Sequence, residues 1–287
     1  MQAIFKRELR SYFRTMTGPV FIAALMAFVG VFFVLINLVQ GYSYFSAVLS
    51  NITIIFLLIV PILTMRSFAE EKRAKTDQLL LTSPVSVTDI VMGKYLSMIA
   101  LLGICCLVMC LAPIIIHFYG GGSLAVDFIA ILEFFLLGSA YIAIGMFIST
   151  LTESQVIAAV GTFFILLLLQ LVNGFSNLLP TSARGSYVCF FAVILLIALL
   201  VYYLTRNYII SGGVAAAGIV VLTILFFAKK TILEGAFAGA LSSLSLIARF
   251  DDIMNQTFNL SAVIYYLSVC GLFVFLSVQA IQKRRWS

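Results

Sequence analysis

The sequence is dominated by uninterrupted apolar runs about as long as a bilayer is thick. An α-helix rises about 1.5 Å per residue, so roughly 17 to 25 apolar residues cross the ~30 Å hydrocarbon layer. Runs of that length lie near 19–39, 46–65, 94–117, 127–149, 155–175, 186–204, 210–228 and 261–281. Of the 287 residues, 63% are hydrophobic and only 10% are charged. A soluble domain carries about a quarter of its residues charged, so the bilayer must be the solvent here. The fold class that follows is an all-α integral membrane protein, a polytopic bundle of about eight spans. Only Thr205, Arg206 and Asn207 separate the sixth and seventh runs, so a re-entrant hairpin is the alternative to two crossings there. The first run follows basic residues as a signal peptide would, but it is longer than a usual signal core and lacks a convincing cleavage site, and it reads as a retained span.

The few charges mark the loops and test the orientation. With the N-terminus inside, the cytoplasmic segments hold Lys6, Arg7, Arg10, Arg14, Arg66, Lys72, Arg73, Lys75, Lys94, Arg206, Lys283, Arg284 and Arg285, which is 13 of 17 basic residues. Arg184, Lys229, Lys230 and Arg249 remain outside. The asymmetry predicts a multi-pass protein of the inner or plasma membrane with both termini cytoplasmic. The net charge of +6 suits anionic lipid headgroups, and no nucleic-acid recognition module accompanies it. Cys105, Cys106, Cys110, Cys189 and Cys270 lie inside apolar runs without CxxC spacing and read as small hydrophobes.

Two segments outside the runs have helical patterning. In residues 1–16, Phe5, Leu9, Tyr12, Phe13 and Met16 share one arc while Lys6, Arg7, Arg10 and Arg14 share another, predicting an amphipathic helix at the membrane interface. It can anchor to lipid, touch a partner, or both. In the external segment 229–260, Thr231 and Glu234 resemble a capping box, and Phe237, Leu241, Leu244 and Ala248 recur at helical spacing.

Sites for covalent chemistry are scarce. There is no GxxxxGK[ST] to cradle nucleotide phosphates, and His117, the sole histidine, has no catalytic partners in the sequence. Ionisable residues within the spans are costly and usually face a bundle interior or cavity. Glu133 is such a residue, and a pathway-facing role and a locally paired role are both open to it. Asn37, Gln170 and Asn173 are uncharged; Gln170 and Asn173 join Glu133 as pathway candidates, although interhelical hydrogen bonding explains them equally well.

The connection from the second to the third run, FAEEKRAKTDQLLLTSPVSVTDIVMGKYL from Phe68 to Leu96, is not plain linker. A charged block from Glu70 to Asp77 precedes three consecutive leucines, and Ser83-Pro84 ends the helix they would form. Ser86 or Thr88 can cap the helix that becomes the third span. Leu79, Leu80 and Leu81 suit either a short helix pressed into a partner's groove or packing against the protein's own helices.

The stretch FAEEKRAKTDQLLLTSPVS resembles the signature of ABC-2 type permeases, in which a Glu-rich turn, a Thr, paired leucines and Ser-Pro follow the second span. The tail SLIARFDDIMNQTFNLSAVIYYLSVCGLFVFLSVQAIQKRRW resembles the end of the gliding-motility-associated (GldF-like) permease subunit of that family. This resemblance implies an interfacial helix over 1–16 and a permease domain over 17–287, with a six-helix core extended by two spans. It implies a coupling elbow over 68–88 that seats in a cytoplasmic ABC ATPase dimer, through Glu70, Glu71, Thr76, Leu79, Leu80, Ser83 and Pro84. Lys75 stands where a small residue often precedes that Thr. Glu153, between the fourth and fifth spans, marks a second short cytoplasmic loop able to touch either the ATPase or the amphipathic helix. ATP and Mg would be bound in the partner ATPase, with no cofactor or metal in this chain. A second permease, an auxiliary membrane subunit or another copy would complete the transporter, and export is the expected direction. An ATPase-independent carrier or channel, or a membrane scaffold, is the competing reading.

Overall fold

The structure, a computed structural model, describes residues 1–76, 85–178, 182–205, 235–251 and 260–286, together with Gly213, Ala216, Val220, Leu222 and Thr223. Among these residues all regular structure is helical. Six helices are long and apolar enough to cross a membrane: Thr17–Val39, Ser46–Arg73, Val87–Phe118, Leu124–Leu151, Gln155–Val172 and Leu260–Lys283. The sixth apolar run falls in a further helix, Ala183–Thr205. The seventh run lies largely outside the described residues, as do Thr231 and Glu234 of the expected capping box.

The chain forms two compact units, Met1–Leu168 with Arg249–Ser287, and Leu169–Ala248. The first begins with α1 (Gln2–Arg14), followed by α2 (Thr17–Phe32), whose last turns widen into a π-helix over Phe33–Val39. The buried Asn37 ends this span by donating from Nδ2 to the carbonyls of Tyr42 (2.7 Å) and Tyr44 (3.1 Å). The second span runs through α3 (Ser46–Ile52), a 3-10 turn and α4 (Phe56–Thr64), and the elbow holds the short α5 (Ala69–Arg73). The third span comprises α6 (Val87–Met109) and α7 (Leu111–Phe118). Next come α8 (Leu124–Leu151) and α9 (Gln155–Leu178). The chain then passes through α10 (Ala183–Thr205), α11 (Ala236–Leu244) and α12 (Leu246–Asp251), and closes with α13 (Leu260–Trp286).

Helix α8 is the centre of the first unit, with α3, α4, α6 and α13 packed along it. Phe56 stacks on Phe134 at 4.6 Å between ring centroids, and Phe147 meets Phe273 of α13 at 5.8 Å. Two glycines on α8 let its neighbours approach. A Cβ on Gly138 would stand 2.6 Å from Leu102 Cδ2 and 3.1 Å from the Phe56 ring. One on Gly145 would run into Thr64 Oγ1 and lie 3.0 Å from Thr162 Cγ2. Close backbone approach is how helices gain packing in lipid, where no hydrophobic drive acts between them.

The second unit contains α10 and α11, where the rings of Phe190 and Phe237 meet edge to face at 5.0 Å. The helical spacing from Phe237 to Ala248 is not one helix. It breaks at Ser245, whose extended backbone separates α11 from α12.

The tight packing at Gly145 makes its replacement informative. Gly145→Val overfills the crossing with α4 and α9, a change that costs about 1–3 kcal/mol. Thermal unfolding in detergent should fall by several degrees relative to Gly30→Val, since nothing lies within 4 Å of a Cβ at Gly30.

Candidate functional site

The elbow after the second span is built by capping from a distant helix. Helix α4 ends at Thr64, and the chain turns through Met65–Phe68 before α5 starts. The first backbone N–H groups of a helix have no partner within it. Here the N–H groups of Phe68 and Ala69 donate to Ser149 Oγ on α8, at 3.2 and 3.1 Å, and that hydroxyl donates to the Met65 carbonyl at 3.3 Å. At the other end of α5, the N–H of Thr76 donates to the Glu71 carbonyl (3.0 Å) and that of Lys75 to the Lys72 carbonyl (3.1 Å). These paired bonds form a Schellman stop, and Lys75 takes the left-handed position that glycine usually fills, at φ 55°. A lysine therefore closes the turn where the resemblance leads one to expect a small residue.

The interior of the elbow is organised by Lys94. Ser86 caps α6 by accepting from the Asp89 N–H at 3.1 Å, so the helix begins seven residues before the apolar run near 94–117. Lys94 is consequently a helix residue, 2% exposed, and not part of a loop. Its ammonium donates to the Ser67 carbonyl at 2.8 Å and to Glu71 Oε1 at 2.9 Å, and it lies 3.5 Å from Glu8 Oε1. It also stands 5.1 Å from the Phe68 ring centroid. Arg7 closes the cluster, 2.6 Å from Glu8 and 3.5 Å from Glu71. Two cations and two carboxylates balance around the buried ammonium of Lys94, which is what burying its charge requires. Gly93 lets α1 reach this point: a Cβ there would sit 2.9 Å from Ile4 Cγ2.

Outer contacts extend the cluster. Lys72 Nζ donates to the Thr150 carbonyl on α8. Arg66 makes a two-pronged pair with Glu70, at 2.7 and 2.9 Å. Tyr12 of α1 is buried beside them, and burial, reinforced by the Glu8 carboxylate, pushes its phenol well up, so it stays neutral throughout the physiological range. The hub thus joins α1, the elbow, α6 and the end of α8.

Of the expected elbow residues, Glu71 belongs to this hub and Glu70 borders it, 44% exposed. Thr76 is exposed and donates from Oγ1 to the Glu71 carbonyl at 3.3 Å. Leu79, Leu80, Ser83 and Pro84 lie outside the described residues. Glu153 sits in the turn between α8 and α9, two residues beyond the leucine that ends α8. Among the pathway candidates, Glu133 is wholly buried in α8. Gln170 lies on α9 in the other unit, with its Oε1 buried and accepting no hydrogen bond from the described residues. Asn173 is on the same helix, its side chain outside the described part.

Three residues escaped the sequence reading. The Ser86 cap already places Lys94 two turns inside the third helix, but its pairing with carboxylates on α1 and the elbow carries no sequence signal. Ser149 carries no signal, because its role depends on which helix ends meet. Asp127 is similar: it is 1% exposed, and its Oδ1 accepts from the N–H groups of Phe45 (2.8 Å) and Ser46 (3.3 Å), capping the start of α3.

A bundle of long apolar helices with a capped, charged elbow after its second span defines a polytopic helical membrane protein. A family model described as ABC-2 family transporter protein matches residues 37–228, which is 192 of the 287. The chain belongs to the ABC-2 transporter family, whose members are membrane transport subunits and not themselves catalytic. No curated protein and no solved structure matches it. The matched residues include the elbow and exclude α1 and α13, although both pack into the first unit.

Removing the central cation leaves carboxylates in a buried site, a loss of about 3 kcal/mol. Lys94→Met should lower the unfolding midpoint in detergent, and Lys94→Met combined with Glu71→Gln should recover part of the loss. Additive losses would show that the two side chains act separately.

Proposed function

We propose that this chain is the permease subunit of an ABC exporter, driven by a separate cytoplasmic ATPase dimer that seats on the elbow 68–88. The observation that carries this reading is the hub around Lys94. A force applied to α5 reaches α1 through Arg7 and Glu8, α6 through Lys94, and α8 through Ser149 and Thr150. In this reading Glu71 holds the elbow to the bundle while the more exposed Glu70, with Thr76, faces the partner. Leu79, Leu80, Ser83 and Pro84 supply the apolar knob and the stop that follows it, and Glu153 makes the second contact.

Closure of the ATPase dimer on ATP and Mg, both bound in the partner, tilts the spans as a body and opens the pathway on the outer side. Both termini are cytoplasmic. A second permease subunit or another copy of this chain completes the pathway, and the apolar spans suit a hydrophobic or amphipathic cargo. Glu133, Gln170 and Asn173 are the polar groups it would meet. The narrower likeness to gliding-motility-associated permeases is supported by the tail sequence, which begins beyond the family match.

The tagged chain co-expressed with its ATPase tests this. Leu79→Asp with Leu80→Asp should abolish co-purification and stimulated ATP hydrolysis, whereas Glu71→Gln should retain the ATPase but lose much of the stimulation. Unchanged co-purification and hydrolysis in the double variant would contradict the docking.

A further inference from the structure

Helix α1 has two faces, and among the described residues its packing against the rest of the protein is concentrated on one of them. The inner face turns Ile4, Glu8 and Tyr12 toward α6 and the elbow. On the other, Ala3, Lys6, Arg7, Arg10, Ser11 and Arg14 line a groove. The four cations fall within an arc of about 100° at helical spacing. Lys6, Arg10 and Arg14 form a row four residues apart, and the small Ala3 and Ser11 keep the floor open. The acidic residue of this helix, Glu8, is committed to Lys94 and Arg7, so nothing on α1 neutralises the row.

Two further observations fix the depth at which the groove works. Only Thr15 and Met16 separate α1 from the first span, a reach of about 10 Å at most from Arg14 to Thr17. Flanking the cationic arc, Phe13 is 47% and Met16 80% exposed, and both need an apolar surrounding. Cations beside exposed apolar side chains, tied to the start of a span, match the boundary between headgroups and acyl chains. We propose that this groove binds the phosphate headgroup of an anionic phospholipid. Guanidinium groups meet phosphate oxygens in pairs, which favours Arg10 and Arg14 as the main contacts, with Lys6 as a point charge. Arg7 also lines the groove and lies 3.5 Å from Glu71, so the bound headgroup sits one ion pair from the elbow. The inference rests on residence in the membrane and is independent of the ATPase partnership.

The test uses the full chain in neutral-detergent micelles, titrated with phosphatidylglycerol or phosphatidylcholine, with bound lipid counted by native mass spectrometry. Phosphatidylglycerol should be retained over phosphatidylcholine, and the preference should shrink as salt rises. Arg10→Gln and Arg14→Gln should each weaken phosphatidylglycerol about fivefold and Lys6→Gln about threefold, with the three together roughly a hundredfold and phosphatidylcholine unchanged. Arg10→Lys, which keeps the charge and loses the paired contact, should weaken phosphatidylglycerol less than Arg10→Gln. Equal retention of the two lipids by the unmodified protein would overturn the proposal. So would undiminished phosphatidylglycerol binding in the triple variant, including the case in which that variant instead loses a co-purifying protein. Equal affinity for soluble glycerol phosphate would also overturn it, assigning the groove to a free anion. If the triple variant does not fold, the single variants and the salt series decide the same question.

Discussion

The ammonium of Lys94 is the point on which the charged end of this bundle depends. A lysine with 2% exposure is tolerated only when its charge is matched and its hydrogens are used. The carboxylates come from two separate segments, Glu8 of α1 and Glu71 of the elbow, and the carbonyl of Ser67 completes the set. None of these groups is near Lys94 in sequence. Burying the charge therefore forces an N-terminal helix, an inter-span turn and the third span into one arrangement. Gly93, beside the lysine, removes the side chain that would keep α1 away.

Helix α8 turns this local arrangement into a long-range one. Near its start, Asp127 caps the N-terminus of the second span by accepting from Phe45 and Ser46. Near its end, Ser149 caps the elbow that follows the same span by accepting from Phe68 and Ala69. One helix of 28 residues, about 42 Å long, thus grips its neighbour above and below. Gly138 and Gly145 bring the two into close contact in between. A displacement of the elbow has little freedom to be absorbed locally, which is the mechanical property a transport subunit needs if the driving force is applied outside the membrane.

Much of this architecture was legible in the sequence. Apolar run lengths gave the helical class and the described spans, because in lipid a backbone must satisfy its own hydrogen bonds and a helix does so locally. The elbow residues Glu70 and Glu71 were visible as a charged block at the end of a span. What they touch was not visible, since Lys94 and Ser149 are remote in sequence and only tertiary contact unites them. The early start of the third helix was legible in Ser86, one of two caps the sequence offers, and the structure selects it over Thr88. Lys75 was unreadable: a left-handed lysine has no local signature, and the surrounding hydrogen bonds impose it. In the segment 229–260, periodicity suggested one helix across Phe237 to Ala248, and the extended backbone at Ser245 divides it.

The central claim is that Lys94 holds the elbow to the bundle. Hydrogen–deuterium exchange of the full chain in detergent measures this directly, comparing the unmodified protein with Lys94→Met. Faster exchange over Phe68–Arg73, with the middle of α8 unchanged, is the expected result. Identical protection of the elbow in a folded Lys94→Met variant would contradict the account.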